Sequence, residues 1–113
     1  HSALMKPAEI KLQKELEQTK FYDLSCPVIT NIEAKPITKG SEARSALIKQ
    51  VCSPVRWSET MQVLVNQGVE TVIELGAGKV LSGLIKRFNR SINCYQVGDR
   101  ESLSQTLAAL NKN

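Results

Sequence analysis

Aromatic side chains are scarce in this chain, with one Trp, two Tyr and two Phe among 113 residues. The net charge of +4 comes from Lys and Arg spread along the sequence and interleaved with Glu. Few rings and no basic patch argue against nucleic-acid binding, while an acidic protein partner or a phosphate-bearing ligand suits a mild positive excess. No apolar run approaches the roughly 20 residues that span a bilayer. His1-Ser2-Ala3-Leu4-Met5-Lys6-Pro7 lacks the continuous apolar stretch of a secretory signal. A soluble, cytoplasmic protein is expected. Cysteine is odd in number and scattered (Cys26, Cys52, Cys94), with no Cys-x-x-Cys and no histidine close by. That pattern predicts free, reduced, mostly buried thiols ahead of a metal or redox role. There is no initiator methionine, and the only histidine is residue 1. The chain therefore reads as beginning partway through a longer polypeptide.

An apolar fraction of 42% and a charged fraction of 23% suit one globular domain, and the length is too short for two full cores. Helix and strand patterns alternate, which predicts an α/β architecture with parallel strands. Pro7 fits a first helical turn, and Met5, Ala8, Leu12 and Leu16 recur at helical spacing, so a helix is predicted to end near Thr19. Pro27–Ile32 is a β-branched run and reads as a strand. Ser41 is expected to cap a helix carrying Ala43, Leu47, Ile48 and Val51, and Ser53-Pro54 to start another with Trp57, Met61, Leu64 and Val65 inward. Gly68 suits a helix end. Thr71–Leu75 reads as a buried parallel strand, Gly76-Ala77-Gly78 as the turn after it, and Val80, Leu81, Leu84, Ile85 and Phe88 as the inner face of the next helix. Ile92–Val97 is a further strand. Asp99 should cap a last helix with Leu103, Leu107 and Leu110 facing inward.

Two features could carry chemistry. Glu74-Leu75-Gly76-Ala77-Gly78 leads from a strand into a helix, as in nucleotide-binding loops, and Asp99 after the following strand could serve a ribose. On this ground an S-adenosylmethionine or nucleotide-binding α/β domain is conceivable. Against it, Val80 stands where the third glycine of the fingerprint belongs, and little sheet follows the motif. Val80 also stands where a phosphate-binding P-loop needs Ser or Thr. His1 is the second feature, and a lone histidine is more often structural than catalytic.

The string His1-Ser2-Ala3-Leu4-Met5-Lys6-Pro7-Ala8 nevertheless resembles the active-site histidine segment of bacterial malonyl-CoA:acyl-carrier-protein transacylases. Three further blocks continue the similarity in order: Pro27–Ile32, Gln50–Trp57, and Gly68–Glu70 with Glu74–Arg87. Together they span nearly the whole chain and are weakest after Asn89.

The resemblance implies that residues 1–113 are the C-terminal segment of the acyltransferase catalytic domain. Its fold is then part of an α/β-hydrolase-like large domain, three-layered with a mostly parallel sheet. The upstream part, with the nucleophile and a ferredoxin-like subdomain, is absent. A sheet of Val28–Ile32, Thr71–Leu75 and Ile92–Val97 would expose an edge, so the separated chain is expected to be poorly stable or to associate. The implied reaction moves malonyl from malonyl-CoA through a seryl ester to the phosphopantetheine thiol of acyl carrier protein, in fatty acid biosynthesis. His1 would be the catalytic base, and the main-chain carbonyl of Gln50 would orient it. Lys86 and Arg87 are candidates for binding the acidic carrier protein. Arg44 and Arg56 do not match the family's carboxylate clamp and read as solvated charges. No Gly-His-Ser-x-Gly occurs among these residues, so the chain alone is expected to be inactive. No cofactor and no metal are expected. The same blocks would also suit a polyketide-synthase acyltransferase domain, or a non-enzymatic module that keeps only a carrier-docking surface.

Overall fold

The structure, a computed structural model, describes residues 3–112. They form two compact units, divided between Val63 and Leu64.

The first unit opens with a 3-10 turn at Ala3–Met5 that runs into helix α1 (Lys6–Glu17). Pro7 lies in the first turn of α1, where its missing N–H costs no helical hydrogen bond. Thr19 closes the other end by donating its hydroxyl to the Glu15 carbonyl at 2.8 Å. An extended segment then leads to two short antiparallel strands, β1 (Val28–Ile29) and β2 (Pro36–Ile37), with Val28 opposite Ile37. The predicted strand Pro27–Ile32 is thus cut to two residues, and it pairs with a hairpin partner instead of joining the parallel strands. Thr30 explains the cut. Its carbonyl accepts the Ala34 N–H at 3.0 Å, its N–H reaches the Lys35 carbonyl, and Ala34 takes a positive φ of 52°. The chain therefore folds back within five residues.

Helix α2 (Gly40–Lys49) follows and continues directly into a second 3-10 turn, Gln50–Cys52. Its cap is not Ser41, which lies inside the helix. The Gly40 N–H instead donates to the Asp23 carboxylate at 3.0 Å, across 17 residues of sequence. Gly40 is buried so closely that a Cβ there would fall 2.6 Å from the Tyr22 carbonyl oxygen. Ser53-Pro54 does not start a helix either. Ser53 donates its hydroxyl back to the Lys49 carbonyl, and α3 (Trp57–Asn66) begins only after the Arg56 N–H has bonded the Asn31 carbonyl. Met61 of α3 is the most deeply buried large side chain among the described residues.

In the second unit α3 ends as predicted at Gly68, whose φ of 77° lets its N–H bond Val65 while the Val69 N–H bonds Leu64. Strand β3 (Thr71–Leu75) pairs in parallel with β4 (Asn93–Val97), from Thr71 opposite Asn93 to Leu75 opposite Val97. Between them runs α4 (Val80–Phe88), and after them α5 (Arg100–Asn111); both helices pack on β4. Ile85 and Ile92 are buried and Leu110 is half-buried, but most of the predicted inner faces is open. Val80, Leu81, Phe88, Leu103 and Leu107 are all exposed, and Ile73 and Leu75 lie uncovered on β3. Among the described residues no helix is long and apolar enough to cross a membrane.

Candidate functional site

Gln50 sits where α2 tightens into the 3-10 turn, and it is half-buried. Its carbonyl accepts the Ser53 N–H at 3.3 Å. A carbonyl oxygen can accept two hydrogen bonds, so this contact does not disqualify it as the acceptor of an imidazole N–H. His1 lies outside the described residues. The turn that begins two residues on, Ala3–Met5, packs against the turn Gln50–Cys52, and α1 packs on both that turn and α2. Two segments nearly fifty residues apart in sequence are thereby brought together.

A cluster at this junction escaped the sequence reading. Glu9, in the first turn of α1, is buried, and its carboxylate takes the Lys6 ammonium at 2.7 Å. The Lys6 hydrogen bond, followed by the nearby Cys52 thiol, holds the Glu9 carboxyl below the usual glutamate range. Burial and then the neighbouring Glu9 carboxylate push the Cys52 thiol up, which disfavours the thiolate a nucleophile would need. The signal was available: Met5, Glu9, Leu12 and Leu16 share one helical face, and Glu9 interrupts the apolar stripe. The cysteines are otherwise free, as predicted, but Cys26 is exposed and the other two are only half-buried.

Beside Gln50 lies a cleft of about 320 Å³ lined by Phe21, Leu24, Ile29, Ile37, Leu47 and other uncharged residues. It offers no cation to a carboxylate or phosphate. Arg44 is not the solvated charge the sequence suggested. It is half-buried, donates to the Thr19 carbonyl at 2.7 Å and lies over the Phe21 ring, its guanidinium carbon 5.0 Å from the ring centre. Arg56 is exposed and paired with Glu59.

In the second unit the glycine loop is closed by its own acid. Glu74 accepts the N–H groups of Leu81 and Ser82, at 3.1 and 2.9 Å, and the Ser82 hydroxyl at 2.8 Å. The helix N-terminus that a phosphate would use is therefore filled by a carboxylate, which the Ser82 backbone bond holds below its ordinary range. Asp99 is engaged as well. It caps α5 in a reciprocal box with Ser102, accepting the Ser102 N–H at 2.8 Å, and is not free to hold a ribose. Both acids needed by a nucleotide-binding site are thus spent on helix ends. Lys86, in the last turn of α4, donates to the carbonyls of Arg90 and Ile92, while Arg87 beside it is exposed. Among the described residues no group of three or more metal-ligating side chains occurs.

No protein-family model matches the chain. Individual relatives do. The malonyl CoA-acyl carrier protein transacylase of Bacillus subtilis (strain 168) is 43% identical over 116 residues, covering 100% of this chain and 37% of the relative. That of Escherichia coli K12 is 37% identical, covering 95% of this chain and 35% of the relative. Among solved structures, the malonyl-transacylase complex with a type II PKS acyl-carrier protein matches at a TM-score of 0.87 and 40% identity, over 100% of this chain and 36% of that one. The Streptococcus pneumoniae enzyme matches at a TM-score of 0.87 and 36% identity, over 96% of this chain and 35% of that one. The chain spans about a third of the length of the relatives it matches. Over that stretch, sequence and backbone agree with one set of relatives throughout: along its whole length the chain is similar to about a third of each of these malonyl CoA-acyl carrier protein transacylases.

Proposed function

We propose that these residues supply the base and its orienting acceptor to a cytoplasmic malonyl-CoA:acyl-carrier-protein transacylase of fatty acid synthesis. In this proposal residues 1–113 are the C-terminal segment of the catalytic domain. The serine, the carboxylate-binding arginine and the ferredoxin-like subdomain come from outside it. The observation that supports it best is the packing of Ala3–Met5, two residues on from His1, on the turn that carries Gln50.

The chemistry follows from the two roles. Neutral His1 takes the serine proton as the hydroxyl attacks the malonyl thioester, and the resulting imidazolium protonates the departing coenzyme A thiolate. The seryl ester is then attacked by the carrier's phosphopantetheine thiol, which loses its proton to the same imidazole. As the tetrahedral intermediate collapses to the malonyl thioester of the carrier, the imidazolium returns that proton to the departing serine oxygen. Throughout, the second ring N–H of His1 donates to the Gln50 carbonyl, which fixes the tautomer as a carboxylate does in other serine–histidine pairs. Lys86 and Arg87 are proposed to meet the acidic carrier, with Arg87 the freer of the two because Lys86 also holds backbone carbonyls. The exposed apolar side chains of α4, α5 and β3 are proposed to face the remainder of the enzyme.

A graft tests this. The 113 residues replace the matching stretch of the Bacillus subtilis relative, and malonyl transfer to carrier protein is measured. Turnover by the graft, abolished by His1→Ala and absent from the isolated chain, is expected. No turnover, or turnover that survives His1→Ala, would refute the proposal. A polyketide route for the same malonyl transfer is the second reading, favoured by the solved relative bound to a type II PKS carrier.

A further inference from the structure

We infer that Arg44 is a positioning residue for the acyl-transfer site. It clamps α2 to the segment that follows α1, and so holds the Gln50 carbonyl, at the far end of α2, in place for His1. The inference rests on the reading of His1 and Gln50 given above. Past the end of α1 the chain runs through Thr19, Phe21, Tyr22 and Asp23, and each of these meets the first half of α2. The Arg44 guanidinium donates from Nη2 to the Thr19 carbonyl at 2.7 Å, and its central carbon lies 5.0 Å from the centre of the Phe21 ring. Gly40 stands one turn earlier on the same face of α2. Its N–H donates to the Asp23 carboxylate at 3.0 Å, and its backbone approaches the Tyr22 carbonyl so closely that no Cβ would fit between them.

An apolar side chain would pack this junction at less cost. Arg44 Nε is buried with no hydrogen-bond partner among the described residues, and desolvating such a donor is unfavourable. What the guanidinium adds is direction. A planar group bonded at one corner and stacked on a ring resists both sliding and rotation, which neither an apolar contact nor the point charge of a lysine does. The length of the helix sets the scale. Gln50 lies six residues beyond Arg44, or about 9 Å along the axis, so a tilt of about 6° at the clamp moves its carbonyl by about 1 Å. An imidazole that must keep one N–H on that carbonyl and its other nitrogen toward a serine has little tolerance for this. Displacements of about 1 Å in such sites can cost on the order of 100-fold in rate.

The test uses the graft, in which Arg44→Met keeps an unbranched apolar stem and removes the guanidinium. Its kcat is expected to fall roughly tenfold with KM for malonyl-CoA nearly unchanged, since the geometry of transfer and not substrate binding is altered. Arg44→Lys keeps the charge without the planar fork and should lose almost as much. Phe21→Leu removes the ring face and should lower kcat in the same way, whereas Phe21→Tyr should retain most of it. Combined with Arg44→Met, Phe21→Leu should add little, because both break the same clamp. Amide exchange at Gln50–Cys52 should quicken in the Arg44→Met graft while β3 and β4 stay unchanged. An active graft whose kcat survives Arg44→Met, or whose KM rises instead, overturns the positioning role, and so does full activity of Arg44→Lys. Unaltered exchange at Gln50–Cys52 overturns the clamp itself, whatever the turnover. If Arg44→Met does not fold, the two Phe21 variants decide, and equal kcat in both overturns the role. A graft inactive even before mutation refutes the proposed function, and the positioning role falls with it; quickened exchange would then leave Arg44 as a purely structural tie.

Discussion

Replacing Gly40 with alanine sets two effects of known size against each other. Gly40 is the first residue of α2, and alanine is favoured over glycine in a helix interior by about 1 kcal/mol, less at a terminus. Opposing this, the added Cβ would lie 2.6 Å from the Tyr22 carbonyl oxygen, 2.7 Å from that of Phe21 and 2.9 Å from the Phe21 carbonyl carbon. All three are backbone atoms, so no flexible side chain can swing away. Relief requires α2 to move off the preceding segment, stretching the bond from Gly40 to Asp23. Overpacking of this kind costs roughly 1–3 kcal/mol, so the clash should win with a net loss of about 1–2 kcal/mol. With a urea dependence of about 1–3 kcal/mol per molar, the unfolding midpoint should fall by roughly 0.3–2 M. The same displacement would carry the Gln50 turn with it, because α2 runs into that turn without a break. Turnover of the graft should therefore drop as well. A midpoint equal to or above that of the parent chain would show that helix propensity, not the close approach, governs this position.

Ile92, 2% exposed, anchors the start of β4, and Ile92→Ala should cost about 2–4 kcal/mol by urea unfolding, against about 0.5–1.5 for Ile92→Val. Equal losses for the two would mean that the site collapses around the smaller side chain. The Asp99 carboxyl is held below the ordinary aspartate range, first by the Ser102 backbone N–H. Its folded value lies below its unfolded one, so the stability it lends to α5 is complete above the usual aspartate pKa of about 4 and fades as pH falls through the lowered value. Amide exchange at Ser102 should quicken only on that acid side. Asp99→Asn, which still caps, should remove the dependence.

Where signals are local, the sequence told the fold well. Gly68 ends α3, Asp99 caps α5, and β3 and β4 fall within a residue of their apolar runs. What it could not show depends on partners distant in the chain. Asp23 caps α2 from 17 residues away, and Thr30 turns back a run whose β-branched composition reads as continuous strand. The apolar faces of α4 and α5 were identified correctly as apolar, yet periodicity cannot say what covers them, and most of them are uncovered. Of the candidate site, the packing of Ala3–Met5 on the Gln50–Cys52 turn joins two segments far apart in sequence, while Glu9 was visible only as a charge out of place on an apolar stripe.

Glu74 gives the glycine loop a resident counter-ion. Three donors at the start of α4 converge on it, and because its carboxyl is acid-shifted the charge persists into mildly acidic solution. A dissolved anion approaching that helix end meets a like charge instead of open N–H groups. Vacating the position by Glu74→Ala would expose those donors, and inorganic phosphate, without effect on the parent chain, should then raise the melting temperature. The acidic residue just ahead of such a loop can thus decide whether a strand–glycine–helix turn is a receptor for anions or a joint that has sealed itself.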